Sequence, residues 1–158
     1  MDWLVGELPL HPLLVHLTVV AVPVAALALL LSTLWPAARR RLGLATPILA
    51  LLALVCVPVT VWAGEWLAER VGRTPLVDRH EGFGQLMLPW AIAMFVVAAA
   101  VWAWHRFGAE LYPKARTAVA LLLGAAAIVS AVGAMVLIVL IGESGAAAVW
   151  TGNFTPDL

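Results

Sequence analysis

Histidine is the residue type in this sequence best suited to chemistry, because a neutral imidazole binds metals and haem iron near physiological pH. The chain has four of them, at positions 11, 16, 80 and 105. Five helical residues turn by about 500°, so the rings of His11 and His16 point about 140° apart on one helix. These two histidines therefore cannot chelate one ion together, and a shared ligand has to be bound by histidines on different helices.

His16 is the stronger candidate of this first pair. Pro12 fits the first turn of a helix, which puts His11 at the mouth of that helix, where a solvated interfacial histidine is the simpler interpretation. His16 then lies roughly 6 to 9 Å deeper, at 1.5 Å per residue, in apolar surroundings. An ionisable group at such depth indicates a function. A neutral ring that is hydrogen-bonded to a carbonyl or to Glu65 fits the sequence equally well.

His80 opens the third apolar segment, between Asp78 and Glu81. The spacing of these two acids is that of a capping box, which predicts His80 in the first helical turn. The positive end of a helix disfavours imidazolium and leaves a neutral ring suited to bind a metal. Small and soft side chains follow on the same face at helical steps: Gly84, Met87, Ala91 and Met94. Gly84 and Met87 are the predicted contacts of a flat cofactor, although such a stripe is also typical of ordinary core packing.

His105 lies at the other end of the third segment, beside Arg106, and has no second histidine on its side. One chain can therefore bind at most one haem through histidines alone, and not at this end. Zinc would need a third ligand, and His11, Glu65 or Glu81 could supply one only at a spacing without a specific signature. Zinc-protease, phosphate-loop and nucleophile-elbow motifs are absent from the sequence.

The elements that position these histidines have to cross a bilayer. Apolar residues make up 64% of the sequence, charged residues only 11%, and the mean hydropathy is +1.03. Four nearly uncharged stretches, at about 8–35, 42–67, 82–107 and 115–141, each exceed the ~20 residues needed to span a membrane. Short connections make consecutive spans antiparallel neighbours. The sequence thus predicts an all-α integral membrane protein that forms a single four-helix up-down bundle over residues 1–158.

Basic residues predict how this bundle is oriented. Six lie on one side of the membrane and three on the other: Arg39, Arg40, Arg41, Arg106, Lys114 and Arg116, against Arg70, Arg73 and Arg79. The positive-inside rule puts the richer side in the cytoplasm and both termini outside. His11, His16 and His80 then belong to the outer side, together with a polar loop at 68–81 and a C-terminal tail at 142–158.

Two function classes are excluded by composition. The 9 Lys and Arg residues are balanced by 9 Asp and Glu residues, which leaves no excess positive charge for a nucleic-acid backbone. Cys56 is the single cysteine, so neither an intrachain disulfide nor a cysteine zinc cluster can form.

The sequence resembles a bacterial membrane family called domain of unknown function 2231. Four segments carry the resemblance, which covers nearly the whole chain: the run His11–His16, the pair Gly64 and Glu65, His80, and Gly145 with residues 149–152. The resemblance places the family's histidines at His11, His16 and His80, and its small residue and acid at Gly64 and Glu65. It implies four helices with outer-side histidines, an architecture similar to that of small membrane b-type cytochromes.

The chain departs from the family directly after the histidine motif. Members usually continue with Phe-Pro, whereas this sequence has Leu17 and Thr18, and its next proline is Pro23. The local kink of the first helix is therefore expected to differ from that of typical members.

These observations predict an electron-transfer module in the bacterial cytoplasmic membrane. One haem b near the outer face would be ligated by His16 and His80, with His11 as a reserve ligand. Glu65 would accept a hydrogen bond from one imidazole and fix its tautomer. Besides the lipid bilayer, the expected partner is a quinone or an outer-side redox protein.

The alternative is a non-enzymatic accessory or assembly subunit of a larger membrane complex. Small residues recur along the fourth span at spacings that allow close helix approach: Gly124, Ala127, Ser130, Ala131, Gly133 and Ala134. Under this hypothesis they dock another membrane protein. Ion or proton transfer through His16, Glu65 and His80 is a third reading, and it is weaker because the inner half of each span lacks an ionisable residue to continue the path.

Overall fold

A computed structural model describes residues 3–152 of the chain, and these residues are almost entirely helical. A short hairpin, β1 and β2, precedes six α-helices: β1 Leu4–Val5, β2 Leu8–Pro9, α1 Leu10–Leu34, α2 Pro36–Leu42, α3 Ala45–Val71, α4 Pro75–Ala103, α5 Ala109–Leu111 and α6 Arg116–Trp150. A π-helical turn, Trp104–Gly108, continues α4 into α5, and a 3₁₀ turn, Pro113–Ala115, leads into α6. Four helical segments are long and apolar enough to cross a membrane. The predicted all-α four-helix membrane fold is confirmed.

The four long helices form a ring in which each packs on its sequence neighbours. α1 packs against α3, α3 against α4, α4 against α6, and α6 returns to α1. α1 and α4 are therefore diagonal partners, and so are α3 and α6. Because the chain runs up and down, the starts of α1 and α4 meet the ends of α3 and α6 at one end of the bundle, the histidine end. The opposite end, with α2 and the π-helical turn, is the arginine end.

The interior of the bundle is filled mainly by small side chains, with a few large ones such as Leu29, Met87 and Met94 among them, and large apolar side chains cover its outside. The interior cluster includes Val22, Ala25, Leu29, Ala50, Ala53, Val57, Met87, Ala91, Met94, Ala127, Ala131 and Ala134. Leu27, Leu51, Leu121 and Val139 are among the large residues that point outwards. A soluble protein rarely exposes such a continuous apolar surface. The chain is thus a multi-pass membrane protein whose outer surface contacts lipid.

The small residues of α6 face this protein's own interior. Ala127, Ala131 and Ala134 are buried in the core. Gly133 receives the ring of Trp90 from α4, since a Cβ at Gly133 would lie 2.0 Å from Cζ3 of that ring. The stripe that the sequence offered as a docking face for another protein is therefore used mainly inside the bundle.

The polar loop predicted at 68–81 is mostly helix. α3 continues to Val71 and α4 begins at Pro75, so only residues 72–74 connect them. Thr74 caps α4, with its hydroxyl accepting a hydrogen bond from the Val77 N–H at 3.3 Å. A threonine cap followed by proline in the first turn is a strong helix start, and the polarity of the segment hid it. Likewise α6 runs on to Trp150 through part of the predicted tail, of which residues 153–158 lie outside the described range.

The capping box expected from Asp78 and Glu81 is consequently absent, and His80 lies in the second turn of α4. Both carboxylates instead contact Arg73 Nη1, at 3.2 Å from Asp78 and 3.0 Å from Glu81. The earlier helix start changes the position of His80 relative to the helix end.

Candidate functional site

Two histidines from diagonal helices meet at the histidine end of the bundle. His11 is the second residue of α1 and His80 lies near the start of α4. Their ring centroids are 6.2 Å apart and the ring planes are inclined at 79°. Both side chains are half-buried. The pair therefore spans the bundle from two helices that otherwise contact each other little.

The ring of His11 is fixed by α3. Its Nδ1 lies 3.0 Å from the carbonyl oxygen of Thr60. A carbonyl can only accept, so Nδ1 carries the proton and Nε2 keeps its lone pair. Gly64, one turn further along α3, lets the ring lie against the helix, because a Cβ there would be 2.8 Å from Cε1 of His11.

The ring of His80 is fixed by α6 in the same way. Its Nδ1 lies 3.1 Å from the carbonyl oxygen of Ile141 and 3.2 Å from Oγ of Ser144. A Cβ at Gly145 would be 2.9 Å from Cε1 of His80. The Ser144 hydroxyl donates to the Ile141 carbonyl at 3.1 Å, so its oxygen can accept from the imidazole. In both helix pairs the accepting carbonyl stands four residues before the glycine that receives the ring.

These contacts leave both Nε2 atoms available as ligands. Neither has a hydrogen bond to the part of the chain that the structure describes. Within that part, no buried side-chain nitrogen or oxygen lacks a hydrogen-bond partner, so the two Nε2 atoms are not sealed inside the protein. A metal-bound histidine commonly donates its other ring N–H to a backbone carbonyl, as His11 and His80 do. In both histidines of the pair, the backbone contact occupies Nδ1 and leaves Nε2 without a hydrogen bond.

The described residues do not form a metal site with three protein ligands. Over residues 3–152, no group of three or more His, Cys, Asp or Glu side chains is placed to bind a metal ion. The histidine pair thus offers two protein ligands, which suits a cofactor that supplies the remaining ones.

His16 does not lie in this pair: the structure brings His11, and not the expected His16, next to His80. The side chain of His16 is exposed, and its Nδ1 lies 2.6 Å from the Pro12 carbonyl one turn earlier on α1. The two rings of α1 diverge, as helical geometry requires, so only one of them can point inwards. The rotation of α1 selects His11.

Seven-residue steps along α1 carry the signal that would have found His11. Helical residues seven apart differ by only about 20° in direction. Starting from His11, such steps reach Thr18, Ala25 and Ser32, all of which are buried. Polar residues on this stripe indicate an interior face. Steps from His16 do not share this pattern. Depth along the helix favours His16, but depth does not report the direction in which a side chain points.

Glu65 and Gly84 lie near the site without touching its rings. Oε1 of Glu65 is 3.4 Å from Nε2 of Gln85, which also contacts Glu81 at 3.4 Å. In the described part of the chain, no hydrogen bond joins Glu65 to a histidine, so its predicted contact with an imidazole is not observed. A Cβ at Gly84 would meet only Val61, at 4.0 Å.

Met87 and His105 have other surroundings. Met87 is buried in the core, seven residues after His80 and so on the same face of α4. His105 is at the arginine end, where its Nδ1 donates to the carbonyl of Val101 at 2.9 Å. Sequence reasoning missed the backbone acceptors at Thr60 and Ile141, because any residue type can supply a carbonyl.

Fold and site together define a multi-pass four-helix membrane protein with a fixed histidine pair at one end. The family described as predicted membrane protein DUF2231 matches residues 7–155, and the chain belongs to this family. The matched range includes both histidines of the pair and both glycines that receive them. No curated protein and no solved structure matches the chain.

Proposed function

We propose that His11 and His80 ligate one b-type haem and that the protein transfers electrons in the bacterial cytoplasmic membrane. The proposal rests on the geometry of the pair: the ring centroids are 6.2 Å apart, and each Nδ1 is hydrogen-bonded to a backbone carbonyl. His11 replaces His16 as the first ligand in this proposal.

The separation of the rings fits a shared metal. The separation of 6.2 Å between the ring centroids would allow both imidazoles to hold one metal ion between them. An edge-to-face contact between rings covers about 4.5–7 Å, so distance alone also allows plain packing. The tautomer favours the metal, because both rings keep Nδ1 as the donor and free Nε2.

The protein's own groups have defined tasks in this proposal. When bound, haem supplies one-electron transfer. The carbonyls of Thr60 and Ile141 accept from the imidazoles, which fixes ring orientation and increases the basicity of the ligand nitrogens. Gly64 and Gly145 let the rings lie against their helices. The glycines thus determine the position of the two imidazole rings, and the carbonyls determine that Nε2 is the nitrogen free to bind a metal.

The positive-inside rule supports an outer position for the histidine end and for both termini. At this end, the first turn of α1 carries His11 close to the membrane surface. A quinone within the bilayer or a redox protein outside it would have access to such a site. These partners follow from the proposed chemistry and the proposed orientation together.

The test is the visible spectrum of the full chain, purified in mild detergent from haem-supplemented cells and then reduced with dithionite. We expect a Soret band and sharp reduced-state bands, which His11→Ala and His80→Ala abolish. His16→Ala is the matched control on the same helix and should retain them. Gel filtration verifies that each variant is folded, and added imidazole should restore the bands in a folded His11→Gly variant.

Two results would contradict the proposal. A featureless spectrum of the unaltered protein would remove the haem. Bands that survive His11→Ala but disappear in His16→Ala would restore the pairing expected from the sequence alone.

A further inference from the structure

The arginine end of the bundle contains a cavity of about 270 Å³. Its wall is formed by residues of α1, α2, α3, α4 and the π-helical turn. The cationic and aromatic groups that line it are Arg39, Arg40, Arg106, His105 and Trp102. No acidic residue lines it. This cavity is separate from the histidine pair, which lies at the other end of the helices.

Arg39 is held rigidly at the edge of the cavity. Its Nε donates to the carbonyl of Ser32 and its Nη2 to that of Thr33, both at 2.6 Å. These carbonyls lie in the last turn of α1, where helix geometry leaves acceptors without partners. Beneath them, the Ser32 hydroxyl lies 2.6 Å from that of Thr46 on α3. The guanidinium is thus positioned before any ligand arrives.

Within residues 3–152, the guanidinium groups at this end form no ion pair with a carboxylate. Burial, with a smaller effect from Arg40, lowers the pKa of Arg39 below its usual value. Both ion pairs within residues 3–152 involve Arg73 at the opposite end of the bundle. Glu110, on α5, is exposed and takes part in neither of them. An anion in the cavity would relieve the repulsion between these guanidinium groups.

We propose that this cavity binds the phosphate of an anionic phospholipid. Guanidinium groups offer paired N–H donors that match phosphate oxygens. Basic pockets between membrane helices on the cytoplasmic side are suited to such headgroups, and the positive-inside rule assigns this end to that side. Trp102 belongs to the interfacial level where indole rings are preferred. We assign the phosphate to a lipid headgroup and not to free phosphate, because the cavity lies at the depth of the lipid headgroups.

The experiment counts lipids on the delipidated full chain by native mass spectrometry. The protein is titrated with phosphatidylglycerol and, separately, with phosphatidylcholine. We expect a preference for phosphatidylglycerol that weakens about fivefold for each lining arginine removed, and so about 25-fold in Arg40→Gln/Arg106→Gln. The matched control, Arg41→Gln/Lys114→Gln, removes the same charge from the same side outside the cavity and should bind like the unaltered protein.

A conservative variant keeps the test informative if the double variant does not fold. Arg40→Lys retains the charge but loses the planar fork, so we expect binding between that of the unaltered protein and that of Arg40→Gln. Equal binding of the two lipids, or equal loss in the control variant, would overturn the proposal. Displacement of the lipid by inorganic phosphate at the same concentration would show that free phosphate is the ligand and would overturn the lipid assignment.

Discussion

Replacing Gly145 with alanine should displace the ring of His80, whereas Gly142→Ala on the same helix should not. A Cβ at Gly145 would lie 2.9 Å from Cε1 and 3.2 Å from Nδ1 of His80. At Gly142 a Cβ would meet nothing within 4 Å. Both substitutions change helix propensity equally, so their difference isolates the contact with the imidazole.

The size of the effect follows from these distances. Ordinary van der Waals contact begins at 3.4 Å, so the ring has to retreat by about 0.5 Å from α6. The bond from Nδ1 to the Ile141 carbonyl, at 3.1 Å, is already near the upper end of normal hydrogen-bond lengths. Retreat would weaken it. Crowding and a weakened bond together should lower the free energy of unfolding by about 1–3 kcal/mol relative to Gly142→Ala.

Two assays separate packing from cofactor binding. Unfolding in mixed micelles of mild detergent and SDS, without added haem, measures the packing effect. The reduced visible spectrum and the rate of haem loss measure the effect on the proposed ligand. Gly145→Ala should be less stable in the first assay and should lose haem faster in the second.

Equal free energies of unfolding for the two alanine variants would show that a Cβ at position 145 does not crowd the ring of His80. If they differed in stability while neither bound haem, the contact with His80 would stand and the proposed function would fall.

Two further substitutions test the packing of the bundle with the same unfolding assay. Gly133→Ala would put a Cβ 2.0 Å from the Trp90 ring and should lower the free energy of unfolding by about 3 kcal/mol, the upper end for overpacking. Gly124→Ala has open space around it and should not lower this free energy. Equal stability of the two variants would contradict this prediction. Thr18→Val removes a buried hydrogen bond of 2.7 Å to the Thr60 hydroxyl and should lower the free energy of unfolding by about 0.5–1.5 kcal/mol. A double-mutant cycle with Thr60→Val that gives no coupling energy would show that this bond contributes nothing to stability.

Helix ends show how far local sequence could predict the fold. The transmembrane segments could be found because a bilayer requires about 20 apolar residues, whatever the helices pack against. Their true ends could not be found from polarity, because α3 continues beyond its apolar stretch to Val71 and α4 begins before its apolar stretch, at Pro75. Helices that project from a membrane can be stabilised by caps and neighbouring helices, which hydropathy does not report.

Hydropathy along the chain predicts four membrane spans and puts His11, His16 and His80 at the same end of the bundle. The sequence also shows glycines at 64 and 145, but it does not show that they make room for the rings of His11 and His80. The packed helices were needed to show that His11, and not His16, lies next to His80. The physical reason is that span length fixes how deep a residue lies, whereas the packing of α1 on its neighbours fixes its rotation. That rotation directs one ring to a carbonyl of α3 and the other to the outside.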